Sequence, residues 1–410
     1  SMHASSASIT FSTESCSATE YELNMKRSNT HVFHLKMFFV AFAGVAFTFS
    51  NAPAETITAE RIASTRRLLP LTKLTVGPDD QYDSAVNPDG HLLVFTHKAD
   101  LASNLQAQDL QSGEVKDLLP PNAQLAFTYF KFDARGDICF TTLPRTSPGQ
   151  PLQTLDPNTI RCLKRVTSAT TAKTVTAATT ATTGAAQRNG FGRSNPFWVS
   201  ATELGFLERD ISRQTSRIMI ENIGTGQQTI VAEGRLGSPT MKPGGKYLAY
   251  NEQSDTDRRL VLVELSPAPS QSQPLAKWIV RVDLPGFSGF PAISDDERYL
   301  YFSHYLNDTN DDRSIDGSDN AVVFRTPIAQ LVSSPSTTPT RSASPVLPIL
   351  PVLPEQLTSV ETSCSFPKPA QNSVFLTCAF EGSLDIYRIP STGIVPLDWN
   401  EARIENALQT

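Results

Sequence analysis

The sequence predicts an all-β fold, a β-propeller of six four-stranded blades. Three observations predict it. Short apolar runs recur along the chain, such as His91-Leu92-Leu93-Val94-Phe95 and Tyr299-Leu300-Tyr301-Phe302. A turn rich in Pro, Asp and Gly stands directly before most of them, because these residues suit the backbone angles of tight turns. The turn–strand unit also repeats: Gly90 to Gly136 is 46 residues, and Gly245 to Arg298 is 53. A β-sandwich, the alternative, would not repeat one turn–strand order six times.

The units follow in order. The first, near 70–119, has the turn Asn87-Pro88-Asp89-Gly90 before its strand at His91. The second, near 123–164, has Asp133-Ala134-Arg135-Gly136 before Ile138-Cys139-Phe140. The third, near 193–233, carries Leu204-Gly205-Phe206-Leu207 and Arg217-Ile218-Met219-Ile220. The fourth, near 236–281, has Lys242-Pro243-Gly244-Gly245 before Tyr247-Leu248-Ala249-Tyr250. The fifth, near 286–331, has Ser294-Asp295-Asp296-Glu297-Arg298 before Tyr299. The sixth, near 357–396, contains Val374-Phe375-Leu376 and Asp385-Ile386-Tyr387-Arg388-Ile389. Two low-complexity stretches, 166–190 (Thr and Ala) and 333–354 (Ser, Thr and Pro), lack core periodicity and read as exposed inserts.

The ends differ from this body. Met25-Lys26-Arg27, the apolar run Met37–Phe49 and Ala52-Pro53-Ala54 follow the order of a secretory signal: basic start, short apolar stretch, small-residue exit. The run is too short to span a bilayer as a helix. Residues 1–54 are therefore read as an upstream extension plus a removed signal, and 55–396 as the propeller. At the other end, Asp398 with Glu401 has capping-box spacing, so 397–410 is expected to open a helix or a further helical domain. The exported part carries Cys139, Cys162, Cys364 and Cys378. Each couple, 139 with 162 and 364 with 378, fits within one unit and is a candidate disulfide; four buried thiols are the alternative.

The first unit, Tyr82-Asp83-Ser84-Ala85-Val86-Asn87-Pro88-Asp89-Gly90-His91-Leu92-Leu93-Val94-Phe95, resembles the D-x-x-P-x-x-S-P-D-G-x-x-I-A-F repeat of TolB-like β-propellers. Gly237–Tyr250 in the fourth unit fits the same pattern. Ala85-Val86 departs from the family's small-Pro-aromatic step, and Asn87 replaces Ser. The resemblance covers about 70–396. It implies a six-bladed propeller that binds envelope proteins in a Gram-negative periplasm.

The strongest chemical signal is Asp308-Thr309-Asn310-Asp311-Asp312-Arg313-Ser314-Ile315-Asp316-Gly317-Ser318-Asp319. Alternating oxygen side chains match the twelve-residue calcium loop D-x-[DN]-x-[DN]-G. Asp308, Asn310 and Asp312 would be side-chain ligands to Ca²⁺. Ser314 would give its carbonyl, Asp316 would act directly or through water, and Asp319 would close the shell. Arg313 stands where Gly is usual, and Asp319 is shorter than the usual Glu. The alternative is a solvated acidic hairpin.

Other signals are absent. No G-x-S-x-G, HExxH, Walker loop or G-x-G-x-x-G occurs. Gly286-Phe287-Ser288-Gly289 has the wrong spacing for a nucleophile elbow. Net charge is -6, which does not favour a nucleic-acid partner. The sequence thus predicts an exported, monomeric, non-enzymatic binding scaffold of the envelope, stabilised by calcium, with a protein partner and no retained membrane span. The alternative is the gating propeller of a prolyl-oligopeptidase-type peptidase; an enzyme with calcium in its funnel is a third reading.

Overall fold

In the computed structural model, described residues are 69–100, 102–144, 159–164, 166, 191–210, 212–253, 258–265, 277–282, 286–332, 349–352, 354–379 and 382–391. The signal region 1–54, the expected helix at 397–410, and most of both inserts lie outside them.

Two-residue strand β1 (Thr72–Lys73) comes first. β2 (Asp80–Val86), β3 (Leu92–Ala99), β4 (Ala102–Asp109) and β5 (Val115–Asn122) form one antiparallel sheet. β6 (Leu125–Phe132), β7 (Ile138–Pro144) and β8 (Thr159–Leu163) form the next. Then come β9 (Phe191–Trp198), β10 (Glu203–Asp210), β11 (Thr215–Asn222), β12 (Gln228–Met241), β13 (Tyr247–Gln253), β14 (Arg258–Glu264) and β15 (Lys277–Val282). The fourth sheet holds β16 (Phe287–Ile293), β17 (Tyr299–Tyr305) and β18 (Ala321–Pro327), followed by a short helix, α1 (Ile328–Val332). β19 (Ile349–Val352) lies parallel beside β15, and β20 (Glu355–Gln356) completes the fourth sheet. β21 (Cys364–Ala370), β22 (Ser373–Cys378) and β23 (Asp385–Pro390) end the order, and β1 pairs with β23.

The protein is thus an all-β propeller, and α1 is the one helix among the described residues. The expectation of six blades is corrected to five hydrogen-bonded sheets. The reason is β12, a 14-residue strand. Its first half pairs with β11 and its second half with β13, so the third and fourth sequence units merge into one eight-stranded sheet. Within the stretches read as inserts, Val166 is buried in the core and 349–352 is a strand paired with β15.

Turn chemistry positions the strands. Gly90 and Gly136 close equivalent turns at φ 78° and 84°, donating their amides to Asn87 and Asp133 carbonyls. Glu297 holds the same place at φ 52° without being glycine. Apolar faces then stack between sheets: Leu92, Val94 and Leu105 of the first share one buried cluster with Phe127, Phe130 and Phe140 of the second. Full burial of such a side chain contributes about 2–3 kcal/mol.

Sheets are tied to one another near the centre by buried hydroxyls and an amide. Each tie joins the second strand of one unit to the inner strand of the next. The Asn195 amide donates to Thr141 Oγ1 (3.0 Å), Phe366 to Ser303 Oγ (3.2 Å), and Asp83 to Thr377 Oγ1 (3.1 Å). Thr96 donates to the Phe127 carbonyl (2.6 Å), and Asn251 Nδ2 to that of Ser288 (2.8 Å). A buried amide left without an acceptor costs about 1–3 kcal/mol. Thr141→Val, which keeps the shape and removes the acceptor, is therefore expected to lower unfolding free energy by about that amount, read as a lower urea midpoint at unchanged slope.

Candidate functional site

The inner strands bulge where they meet. Register shifts interrupt β2, β6, β9, β12, β16 and β21 against their neighbours. At each, one non-glycine residue adopts left-handed φ: Asp83 (43°), Tyr129 (57°), Asn195 (52°), Ser238 (48°), Phe290 (50°) and Phe366 (54°). Side chains avoid this region, and each such residue costs on the order of 1–3 kcal/mol unless its surroundings hold it. Pro196, Pro239, Pro291 and Pro367 follow directly in four of the strands. Proline fixes its own φ and disfavours the helical region for the residue before it, which limits the alternatives at each bulge.

Five of these bulges line one small pocket, part of it open to solvent. Tyr129, Lys131, Asn195, Thr240 and Lys368 give it polar walls. Phe290 and Phe366, with ring centroids 4.1 Å apart, give it an apolar one. The sixth bulge supplies Asp83, buried behind the wall and 2.8 Å from Lys368 Nζ. Asp83 Oδ2 accepts from the Thr128 hydroxyl (2.6 Å) and from the Tyr129 amide.

The electrostatics are uneven. Lys131 Nζ donates to Thr240 Oγ1 (3.1 Å), and among the described residues no carboxylate is within ion-pair distance of it. Burial, then the positive charge of Lys368, lowers its pKa to about 7, against the pull of Asp83 and Asp295. Burial, then the charge of Asp83, raises the Tyr129 phenol to about 12, so it stays a donor at neutral pH. The pocket therefore offers hydrogen-bond donors, one ion-paired lysine and one lysine that titrates near neutrality.

The acidic loop lies elsewhere. Arg313 takes φ 71° where the pattern has Gly, so the sharp turn is made despite its side chain. Asp308 Oδ2 accepts from the Arg313 amide (2.7 Å), Asn310 Oδ1 from Asp312 (3.0 Å) and Asp312 Oδ1 from Ser314 (2.8 Å). Asp316 Oδ1 accepts from the Ser318 amide (2.8 Å). Asp319, expected to close a metal shell, accepts at Oδ1 from the Thr309 amide and hydroxyl and at Oδ2 from the Asp316 amide (2.8 Å). Among the described residues no three His, Cys, Asp or Glu are grouped to hold a metal.

The cysteines are joined as Cys139–Cys162 and Cys364–Cys378, each couple directly opposed in register across neighbouring strands. Ser288 Oγ and His304 Nδ1 lie 2.8 Å apart, but both side chains are buried, so the pair ties β16 to β17 rather than facing substrate. Sequence reasoning passed over Lys131 and Lys368. The signal that could have found them was two lysines, each just after a bulge position, in the second and sixth units.

No family model and no curated protein sequence matches the chain. Solved structures resemble its fold. Oligogalacturonate lyase from Vibrio parahaemolyticus shares 12% identity over 78% of this chain and 93% of that one, with a TM-score of 0.46. TolB from Acinetobacter baumannii shares 13% over 78% and 56%, at 0.31. A puromycin-hydrolyzing peptidase from Mycobacterium tuberculosis shares 11% over 79% and 45%, at 0.44. Two of these neighbours are enzymes, against the expectation that the chain is not one; at this similarity they assign it no activity. The likeness is one of fold alone.

The lowered Lys131 pKa makes a stability prediction. The unfolded chain holds this proton up to about pH 10.4, the folded one only to about 7. The unfolded state therefore binds more protons between those values, and the folded state gains stability as pH rises through them. Relative to Lys131→Met, the wild type should gain stability from pH 7 to about pH 10; a difference that stays flat in urea unfolding would remove the depressed lysine.

Proposed function

We propose that the chain is an exported propeller whose axial pocket binds a ligand or a protein partner of the cell envelope. The observation that carries this reading is the convergence of five left-handed bulge residues and two lysines on one pocket. Strained conformations and an amine set without a carboxylate partner are costly, and such features gather where they serve binding or chemistry. The signal-like start and two disulfides support an oxidising, exported location. Among the described residues no helix is long and apolar enough to cross a membrane. The TolB-like repeat pattern supports a periplasmic setting and an envelope protein as partner.

The pocket reading is tested by photo-crosslinking in cells. Benzoylphenylalanine in place of Phe290 should capture a discrete partner. The same group at Ile230, an exposed position on β12 far along the sheet from the bulge, should not. Capture from Ile230 alone would move the binding surface to the rim.

Calcium at the acidic loop is a second part of the proposal. One observation favours it: Asp308 Oδ1 is buried and, among the described residues, has no hydrogen-bond partner. Asp308, Asn310, Asp312, Asp316 and the Ser314 carbonyl would hold the ion, which would relieve repulsion between the carboxylates. Millimolar calcium should raise the melting temperature and a chelator should lower it. Identical melting curves would remove the ion from the account.

A further inference from the structure

We propose that the ligand of the axial pocket is recognised through a carboxylate, held between Lys131 and Lys368. This rests on the reading of the pocket as a ligand site and adds the chemical class. An ammonium has three donors. Lys131 uses one on Thr240, and no carboxylate of the described residues is within ion-pair distance. Asp83, the nearest buried carboxylate, is already engaged. Its Oδ1 faces Lys368, and its Oδ2 takes the Thr128 hydroxyl and the Tyr129 amide. Asp295 acts on Lys131 only at longer range, and Arg209 is the further cation bearing on the Tyr129 phenol. The wall therefore presents more positive charge and donor capacity than its own acceptors satisfy.

The flanking groups narrow the class. The Tyr129 phenol, whose oxygen is hydrogen-bonded by the Asn195 side chain, adds a neutral donor, suited to a planar oxyanion rather than to a cation. The Phe290–Phe366 wall suits the apolar body attached to it. The pocket as it stands has room for only a few water molecules, so the carboxylate enters as the tip of a larger ligand whose bulk stays at the mouth.

Binding must then be linked to protons. With Lys131 titrating near 7, a carboxylate selects its charged form and takes up a proton above that pH. Affinity should be greatest near pH 6, weaken in acid as the ligand's own carboxylate takes up a proton, and fall roughly tenfold per unit above pH 8.

The test uses the full chain with two probes, succinate and neutral succinamide, read by amide shifts of Tyr129, Asn195 and Thr240 in NMR. Succinate should give saturable shifts at pH 6, with affinity at least tenfold weaker at pH 9. Succinamide should give none. Lys131→Met should abolish the response. Lys131→Arg, which keeps the charge, should retain binding and lose its pH dependence. Equal shifts from both probes, or binding indifferent to Lys131 and to pH, would overturn the carboxylate. Capture from position 290 without succinate binding also sinks this inference and leaves the pocket reading standing. Absence of both sinks the two together.

Discussion

The bulge in each inner strand, held open by a group from the neighbouring unit, is the constraint on which the rest depends. A bulge forfeits part of its own ladder, so its backbone amide or a nearby carbonyl must find a partner outside the strand. Thr141, Ser303 and Thr377 supply that partner to Asn195, Phe366 and Asp83. Thr96 and Asn251 play the converse role for the carbonyls of Phe127 and Ser288. Five of the six inner strands, all but β12, are therefore tied to the unit before them. The same interaction that packs the units also fixes the residues that face the axis.

Closure of the ring follows this logic at the chain ends. β1 adds to β23 across more than three hundred residues, and Thr75 donates to Asp385 (3.0 Å) while accepting from the Ile386 amide (2.9 Å). Lys73 completes the tie to the fully buried Asp385 at 2.9 Å. A carboxylate with no exposure needs such partners, since an unpaired charge there would be strongly unfavourable. The disulfides act on a shorter scale. Each links strands that are already paired, so it restricts the unfolded chain more than it shapes the folded one.

The axial pocket inherits its character from that geometry. Left-handed residues turn the inner strands so that Tyr129 and Lys131 come from one unit, Thr240 from another and Lys368 from a third. Lys368 finds Asp83 on the adjoining inner strand, whereas Lys131 finds only a hydroxyl. Burial, then the positive charge of Lys368, lowers the affinity of Lys131 for its proton. The acidic loop contrasts with it. Its carboxylates serve the amides of their own loop, so most of its structure is local.

Local interactions were legible in the sequence, and distant ones were not. Turns such as Asn87-Pro88-Asp89-Gly90 and the strands after them could be read because backbone preference acts over a few residues. The cysteine couples could be read because each pair sits within one unit. The Asp308–Ser314 part of the acidic loop is held by hydrogen bonds spanning two to five residues, so its shape is local. The merging of two units through β12 could not be read, since strand pairing on either half depends on partners outside it. Nor could the role of Asp319, which depends on how the loop closes on Thr309. Composition and spacing determined an all-β repeat with its turns, cysteine couples and acidic loop. Only the tertiary structure decided that Asp83, Tyr129, Lys131 and Lys368, spread over 286 residues, meet at one place. A pocket charge depends on distances through space, and the sequence records only distances along the chain.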